Sequence, residues 1–361
     1  MLTLTNSKPV SLRYDLRIGV DTSQKSYAVT YKSTEGHHRS MQMASDPEAL
    51  HHYFQKRFPD KRLLYIYEAG CTGYDLYDYL TAQNQDCWVL HPPSIETPAN
   101  QRVKNNRIDS EILADQGHSD KVKSIRVPDL DYRQLRHLAT TRQQYVRDSQ
   151  RTKQRIKSLL LFESIRLPQE LLEETNHWSR RYREVLKKIP VKNETIRFKL
   201  DAHLKDLEYQ HQNILALHRQ LQNFYKQHPE IQKHVGFLRS IPGFGFVVSM
   251  YLLSRIGDPQ YLKGIRELGS FAGVVPSEHS TGEQQTKGPI THMGDPILRC
   301  LLVEAAWIAI RKDHELYEFY QRIRSRNPVS KGSKIAIVAV ARKLTHRAYR
   351  VLKDQRPYLI H

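Results

Sequence analysis

The sequence predicts an α/β domain followed by a long helical region, and three observations predict it. Short apolar runs of strand character alternate with helical patterns up to Val127, the chain then turns basic and helical, and from Leu238 onward glycine and proline punctuate short helices. The corresponding divisions are residues 1–127, 128–235 and 236–361. A chain of 361 residues exceeds the usual size of one domain, so each part can bury a core of its own.

In the first part, the apolar run Leu16 to Val20 ends in Asp21, and alternating segments follow at Tyr27 to Tyr31 and Arg39 to Met43, which together read as a three-strand meander. Asp46-Pro47-Glu48 opens a helix, with Asp46 as its cap and Pro47 at the first helical position. A strand from Leu63 to Tyr67 ends in Glu68, a helix is expected over Thr72 to Ala82, and Cys87 to Leu90 gives a fifth strand. A polar, proline-rich stretch from His91 to Asn106 precedes a helical pattern over Arg107 to Gln116. The order βββαβαβ and then helix is that of the ribonuclease-H-like fold, although other α/β folds share pieces of it.

Between Tyr132 and Leu161 the chain carries Arg133, Arg136, Arg142, Arg147, Arg151, Lys153, Arg155 and Lys157, with Asp148 almost the only acid. This reads as a long basic helix with a phosphate-facing stripe. Leu200, Leu204, Leu207, Ile214 and Leu221 form an apolar seam on a second long helix, expected to pack as a coiled-coil-like pair. The segment Ser240-Ile241-Pro242-Gly243-Phe244-Gly245 has two readings. It is a helix-hairpin-helix-like clamp that offers the backbone N–H groups around Gly243 and Gly245 to a phosphate, or it is a plain tight turn. A last helix over Lys331 to Leu352 mixes apolar and basic positions.

Lys plus Arg number 56 against 38 Asp plus Glu, a formal charge of +18 that attracts a polyanion, of which nucleic acid is the commonest. Cys71, Cys87 and Cys300 are too few and too scattered for a disulfide framework or a cysteine zinc site, which fits a reducing cytoplasm. The longest apolar stretches, Phe244 to Leu253 and Ile335 to Ala341, fall short of the roughly 20 residues of a membrane span. Met1 to Lys8 lacks a signal pattern. A cytoplasmic protein with no membrane partner, nucleoid-associated when bound to DNA, is the expectation. Asp21, Glu68 and Asp109 are the chemistry-bearing candidates, because acids at the ends of neighbouring strands can gather around Mg²⁺, which takes oxygen ligands and orients phosphodiester oxygens.

Several segments resemble the DEDD transposases of the "one-ten" insertion-sequence family, which includes Piv-type DNA invertases. In the first half they are Ile18-Gly19-Val20-Asp21, Tyr67-Glu68-Ala69-Gly70 with Thr72-Gly73-Tyr74, and Lys104-Asn105-Asn106-Arg107-Ile108-Asp109-Ser110. In the second half they are the Ser240 to Gly245 turn, Gly273 to Glu283, Thr291 to Asp295 and Leu298 to Trp307. The resemblance implies a RuvC-like N-terminal domain with four acidic metal ligands, and a C-terminal transposase domain that supplies a serine nucleophile just before a glycine. It also implies a covalent protein–DNA link, a homo-oligomer in which different subunits complete one site, and for several members a structured guide RNA. By position, Asp21, Glu68 and Asp109 match three of the acids, with Mg²⁺ as the metal and Mn²⁺ as its substitute.

Two positions depart from the family pattern. Asn106 stands where the third acid is expected, and Thr281 rather than serine precedes Gly282, with Ser280 beside it. Asparagine still offers a carbonyl oxygen but removes a charge. Threonine keeps the hydroxyl and adds a methyl that restricts χ1. The expected function is therefore a transposase or site-specific recombinase. The rivals are a non-catalytic DNA- or RNA-binding descendant and a RuvC-like nuclease without a protein nucleophile.

Overall fold

The computed structural model describes residues 13–95, 105–117, 124–172, 178–281, 284–291 and 293–359. The chain forms two compact units, Met1–Val127 and Pro128–His361.

The first unit is built on strands β1 (Leu16–Thr22), β2 (Ser26–Ser33), β3 (His38–Ala44), β4 (Leu63–Glu68) and β5 (Asp86–Leu90), in the order β3-β2-β1-β4-β5. β1 to β3 are antiparallel, whereas β4 and β5 run parallel to β1. Strand side chains alternate between faces, so the residue pattern decides what each face meets. Ile18, Val20, Val29, Tyr65 and Tyr67 pack against Leu50 and Phe54 of helix α1 (Pro47–Arg57) and against Leu76 and Leu80 of helix α2 (Asp75–Ala82). Asp46 caps α1 by accepting from the Glu48 and Ala49 amides, with Pro47 at the helix start. α2 begins later than the expected Thr72, because Gly73 has φ +73°, which no right-handed helix accommodates.

Leu64, Ile66 and Leu90 face the other side and meet Leu113 of helix α3 (Asn106–Gln116). That helix lies hard on β1 because position 19 is glycine: a Cβ there would stand 2.1 Å from the Ser110 carbonyl oxygen and 2.4 Å from the Ala114 nitrogen. Thr30 and Ser110 share a buried hydroxyl hydrogen bond of 2.7 Å. The Lys32 ammonium reaches Asp115 at 2.8 Å and Glu111 at 3.3 Å. Burial alone would pull this ammonium down, but its hydrogen bonds and charge contacts with Asp115 and Glu111 hold it above its ordinary value.

The second unit is almost wholly helical. α4 (Leu130–Phe162) packs along α7 (Glu194–Gln227), with α5 (Gln169–Leu172) and α6 (Arg180–Lys188) between them in sequence. Leu200, Leu204 and Leu207 of the seam join Ile156, Leu159 and Leu160 in one core. Leu221 instead joins Tyr132 and Leu135 in a larger core, where they meet α8 (Pro229–Arg239), α9 (Phe246–Ile256), α10 (Ile265–Ala272), α11 (Pro296–Ala309), α12 (His314–Ser325) and α13 (Val329–Lys353). Asp313 caps α12 at the Leu316 amide and pairs at 2.6 Å with the largely buried Arg347, so neither charge is left uncompensated. The expected mainly helical C-terminal part also contains an antiparallel pair, β6 (Pro276–Thr281) and β7 (Gln284–Ile290). These strands are polar and short, so no apolar alternation announces them. Among the described residues no helix is long and apolar enough to cross a membrane.

Candidate functional site

Asp21, the last residue but one of β1, lies one residue beyond Val20, which is paired with Tyr67, so Asp21 and Glu68 stand side by side at the same end of neighbouring parallel strands. Val20 and Tyr67 belong to the α1–α2 core, so strand alternation assigns Asp21 and Glu68 to the opposite face, the one α3 covers. α3 crosses that face in the direction opposite to β1. A Cβ on Gly117 would touch Arg17, and a Cβ on Gly19 would touch Ser110 and Ala114. Continuing to Asp21 leads to the first turn of α3, which carries exposed Asn106 and half-buried Asp109. Asn105 caps this turn by accepting from the Ile108 amide.

The expected convergence of all three carboxylates on one point is not realised: among the described residues, no three of His, Cys, Asp and Glu stand close enough to hold a metal ion. The donor chemistry itself suits a hard cation, being oxygen throughout.

The basic stripe of α4 is divided among different neighbours. Arg136 donates from Nε to the Ser254 carbonyl at 2.9 Å and from Nη2 to the Arg255 carbonyl at 3.3 Å, so it caps the C-terminal end of α9. It is thereby removed from the expected phosphate-facing set, because a helix end that would otherwise keep unpaired carbonyls claims its guanidinium. Arg133 is half-buried. Burial depresses the half-buried Arg142 guanidinium, whose Nε finds no hydrogen-bond acceptor among the described residues. Lys153 lies 5.8 Å from the Trp178 ring, and burial, followed by the charges of Arg183 and Lys157, holds its ammonium below the usual range. Arg147, Arg151, Arg155 and Lys157 are exposed.

The glycine turn is similarly divided. Gly243 has φ +90°, and a Cβ there would stand 2.2 Å from the Ala305 carbonyl oxygen, so this glycine is packed against α11. The Phe244 amide is spent on the Ile241 carbonyl at 3.0 Å. Of the two readings of this segment, Gly243 thus follows the tight turn. Gly245 is exposed and stands at the start of α9, whose first turn has no side-chain cap. That turn opens into a groove of about 730 Å³ shared by α4, α9 and α11, in which Arg142, Arg147 and Arg151 form one wall.

Ser280 and Thr281 end β6, opposite Gln285 and Gln284. Their side chains, together with Gly282 and Glu283, lie outside the described residues.

Comparison with known proteins identifies the molecule. Residues 18–165 match the DEDD transposase family of IS110 type, and residues 236–321 match the family described as Transposase IS116/IS110/IS902. The chain belongs to this transposase family. It is 24% identical to the transposase for insertion sequence element IS1533 of Leptospira borgpetersenii, over 95% of this chain and 98% of that one. It is 26% identical to the putative transposase y4qE of Sinorhizobium fredii, over 82% of this chain and 77% of that one. The pilin gene-inverting protein of Moraxella bovis is 28% identical over 40% of this chain and 45% of its own.

Sequence reasoning missed one feature of this transposase. Asp295, which is buried, caps α11 at the Ile297 and Leu298 amides, accepts from the Tyr251 hydroxyl at 3.1 Å and pairs with Arg255 at 2.6 Å. The Asp295 amide also donates to the Phe271 carbonyl at 2.8 Å, and Gly294 beside it has φ +108° with no room for a Cβ. The root of the β6–β7 hairpin is thus held by a buried charge and a left-handed glycine. The Gly294-Asp295-Pro296 run, a positive-φ glycine before a cap and a proline at the helix start, was the available signal.

Proposed function

We propose that the chain is the DNA transposase and site-specific recombinase of an insertion sequence. The N-terminal unit acts as a ribonuclease-H-like, RuvC-like metal domain, residues 128–235 as a basic helical arm, and residues 236–361 as the C-terminal transposase domain. The observation that carries the reading is the placement of Asp21 and Glu68 at the ends of adjacent strands, on the face where α3 brings Asp109 and Asn106. The strand order β3-β2-β1-β4-β5 supports the ribonuclease-H-like assignment.

Asp21, Glu68 and Asp109, with the Asn106 carbonyl oxygen, would hold Mg²⁺ or, in its place, Mn²⁺. When bound, the ion supplies charge stabilisation to phosphodiester oxygens. Asn106 lowers the negative charge of the set by one and weakens its hold on the cation. Thr281, or Ser280 beside it, supplies the attacking hydroxyl, and exposed arginines hold the flanking phosphates. Assembly as a homo-oligomer and direction by a structured RNA belong to the same reading.

A non-catalytic binding descendant is the second reading, favoured by Asn106 and Thr281 standing at chemistry positions. A supercoiled plasmid bearing the element's ends, incubated with and without RNA transcribed from its flanks, decides between them by trapping protein–DNA adducts on a denaturing gel. The expected result is a weak adduct from the native chain, a strong one from Asn106→Asp with Thr281→Ser, and none from Asp21→Asn. No adduct and no cleaved plasmid from any form assigns the chain to the binding class, whereas cleavage without an adduct points to a nuclease that uses no protein nucleophile. An adduct that survives Thr281→Ala with Ser280→Ala places the nucleophile elsewhere.

A further inference from the structure

The groove between α4, α9 and α11 has two chemically distinct sides. Arg142, Arg147 and Arg151 line it from α4, whereas Val247, Val248, Ile297 and Leu301 give it an apolar floor. Arg147 and Arg151 are exposed, and although Arg151 gives one N–H to Asp148 at 3.1 Å, a guanidinium carries five, so donors remain available on that wall. Val247 and Val248 lie in the uncapped first turn of α9, whose amides and positive dipole end add to the same attraction for anions. Glu304, exposed on α11, repels phosphate from the far side and leaves the arginine wall as the seat for it.

A duplex offers phosphates while keeping its bases stacked inside, so it has nothing to lay on an apolar floor. An unpaired strand offers both, a charged backbone and free base faces. The volume, about 730 Å³, is that of a small-ligand site and suits one or two nucleotides. We propose that this groove seats an unpaired segment of nucleic acid, with phosphates on the arginine wall and bases on the Val247–Leu301 floor. This rests on the reading that the chain acts on nucleic acid, and it adds the strand state that the second unit recognises.

The test uses the full chain in metal-free buffer, with short oligothymidylate, oligouridylate and a duplex of matching length as probes. Affinity is read by fluorescence anisotropy. Occupancy of the groove is read by the alkylation rate of Cys300, which lines the groove and is exposed, followed by peptide mass spectrometry. The expected result is that single strands slow Cys300 alkylation about tenfold while duplex bound to the same extent leaves it unchanged. The tighter of the two single strands identifies DNA or RNA as the source. Arg147→Gln with Arg151→Gln should lower the single-strand salt slope by about 1.4.

Filling the groove with a bulky maleimide on Cys300 should weaken single-strand binding about tenfold and spare the duplex, whereas the Cys300→Ser chain treated identically keeps its affinity. Single strands that bind without protecting Cys300, or duplex that protects it equally, overturn the groove and leave the functional reading standing. Failure of every probe to bind overturns both.

Discussion

The two units place charged side chains by different means. In the N-terminal unit, position follows from strand alternation: Arg17, Gly19 and Asp21 share one face of β1, Ile18 and Val20 the other, and the acids at the sheet edge inherit their side from that count. In the helical unit no such count suffices. α4 has 33 residues and passes several neighbours, so arginines of the same helix become a helix cap at 136, a half-buried cation at 142 and exposed donors at 147 and 151. A period fixes the face of a residue, and only the neighbour fixes its role.

The largest test of this contrast is at Gly19. Gly19→Ala forces a Cβ into the backbone of α3, so the first unit should lose about 3 kcal/mol or more, read by urea unfolding. Hydrogen exchange should show the loss confined to residues 13–127, and an equal loss of protection in α4 and α9 would break the separation of the units.

A smaller effect separates the arginines. Arg136→Gln should cost about 1–2 kcal/mol of stability through the lost α9 cap and leave the salt slope of nucleic-acid binding unchanged. Arg147→Gln should do the reverse, keeping the unfolding midpoint and reducing the single-strand salt slope by about 0.7. Identical behaviour of the two variants would restore a single continuous stripe.

The smallest effect is the response to acid. Burial, as the leading cause, holds His203, His218, His234 and His346 of the helical unit below the ordinary histidine value, and it does the same to His51 of the first unit. A histidine kept neutral by folding is protonated more readily when unfolded. Its contribution is therefore complete above a pH of about 6.5 and is lost as pH falls below that value. Urea midpoints of α4–α13 signals should drop more steeply between pH of about 7 and 5 than those of the sheet, and His234→Gln should flatten the drop.

Much of the first unit was legible. The strand end at Glu68, that of β1 to within one residue of Asp21, the Asp46-Pro47 cap and the helix after Asn105 follow from apolar runs and capping chemistry that act over a few residues. That Asp109 does not close on Asp21 and Glu68 was not legible, because spacing along a chain does not report the distance between a helix side chain and a strand end. In the second unit the two long helices and their leucine seam were readable from periodicity. The β6–β7 pair was not, since its strands lack an apolar face. Nor were the roles of Arg136 and Asp295, whose partners stand at Ser254 and Tyr251, far away in sequence.

The helical arm has a further consequence in how the molecule opens. Ile156, Leu159 and Leu160 of α4 share a core with α6 and the first half of α7, while Tyr132, Leu135 and Ala139 belong to the large core at the other end of the same helix. Between them the buried positions of α4 are Gln143, Ser149 and Thr152, with Thr152 accepting from Gln210 across the pair at 3.1 Å, and hydrophobic cohesion is thinnest there. Two cores joined through a polar waist need not melt together. Urea unfolding followed by hydrogen exchange should therefore open the α6 and early α7 segment before the α8–α13 assembly, and a single transition for both would show that the waist couples them.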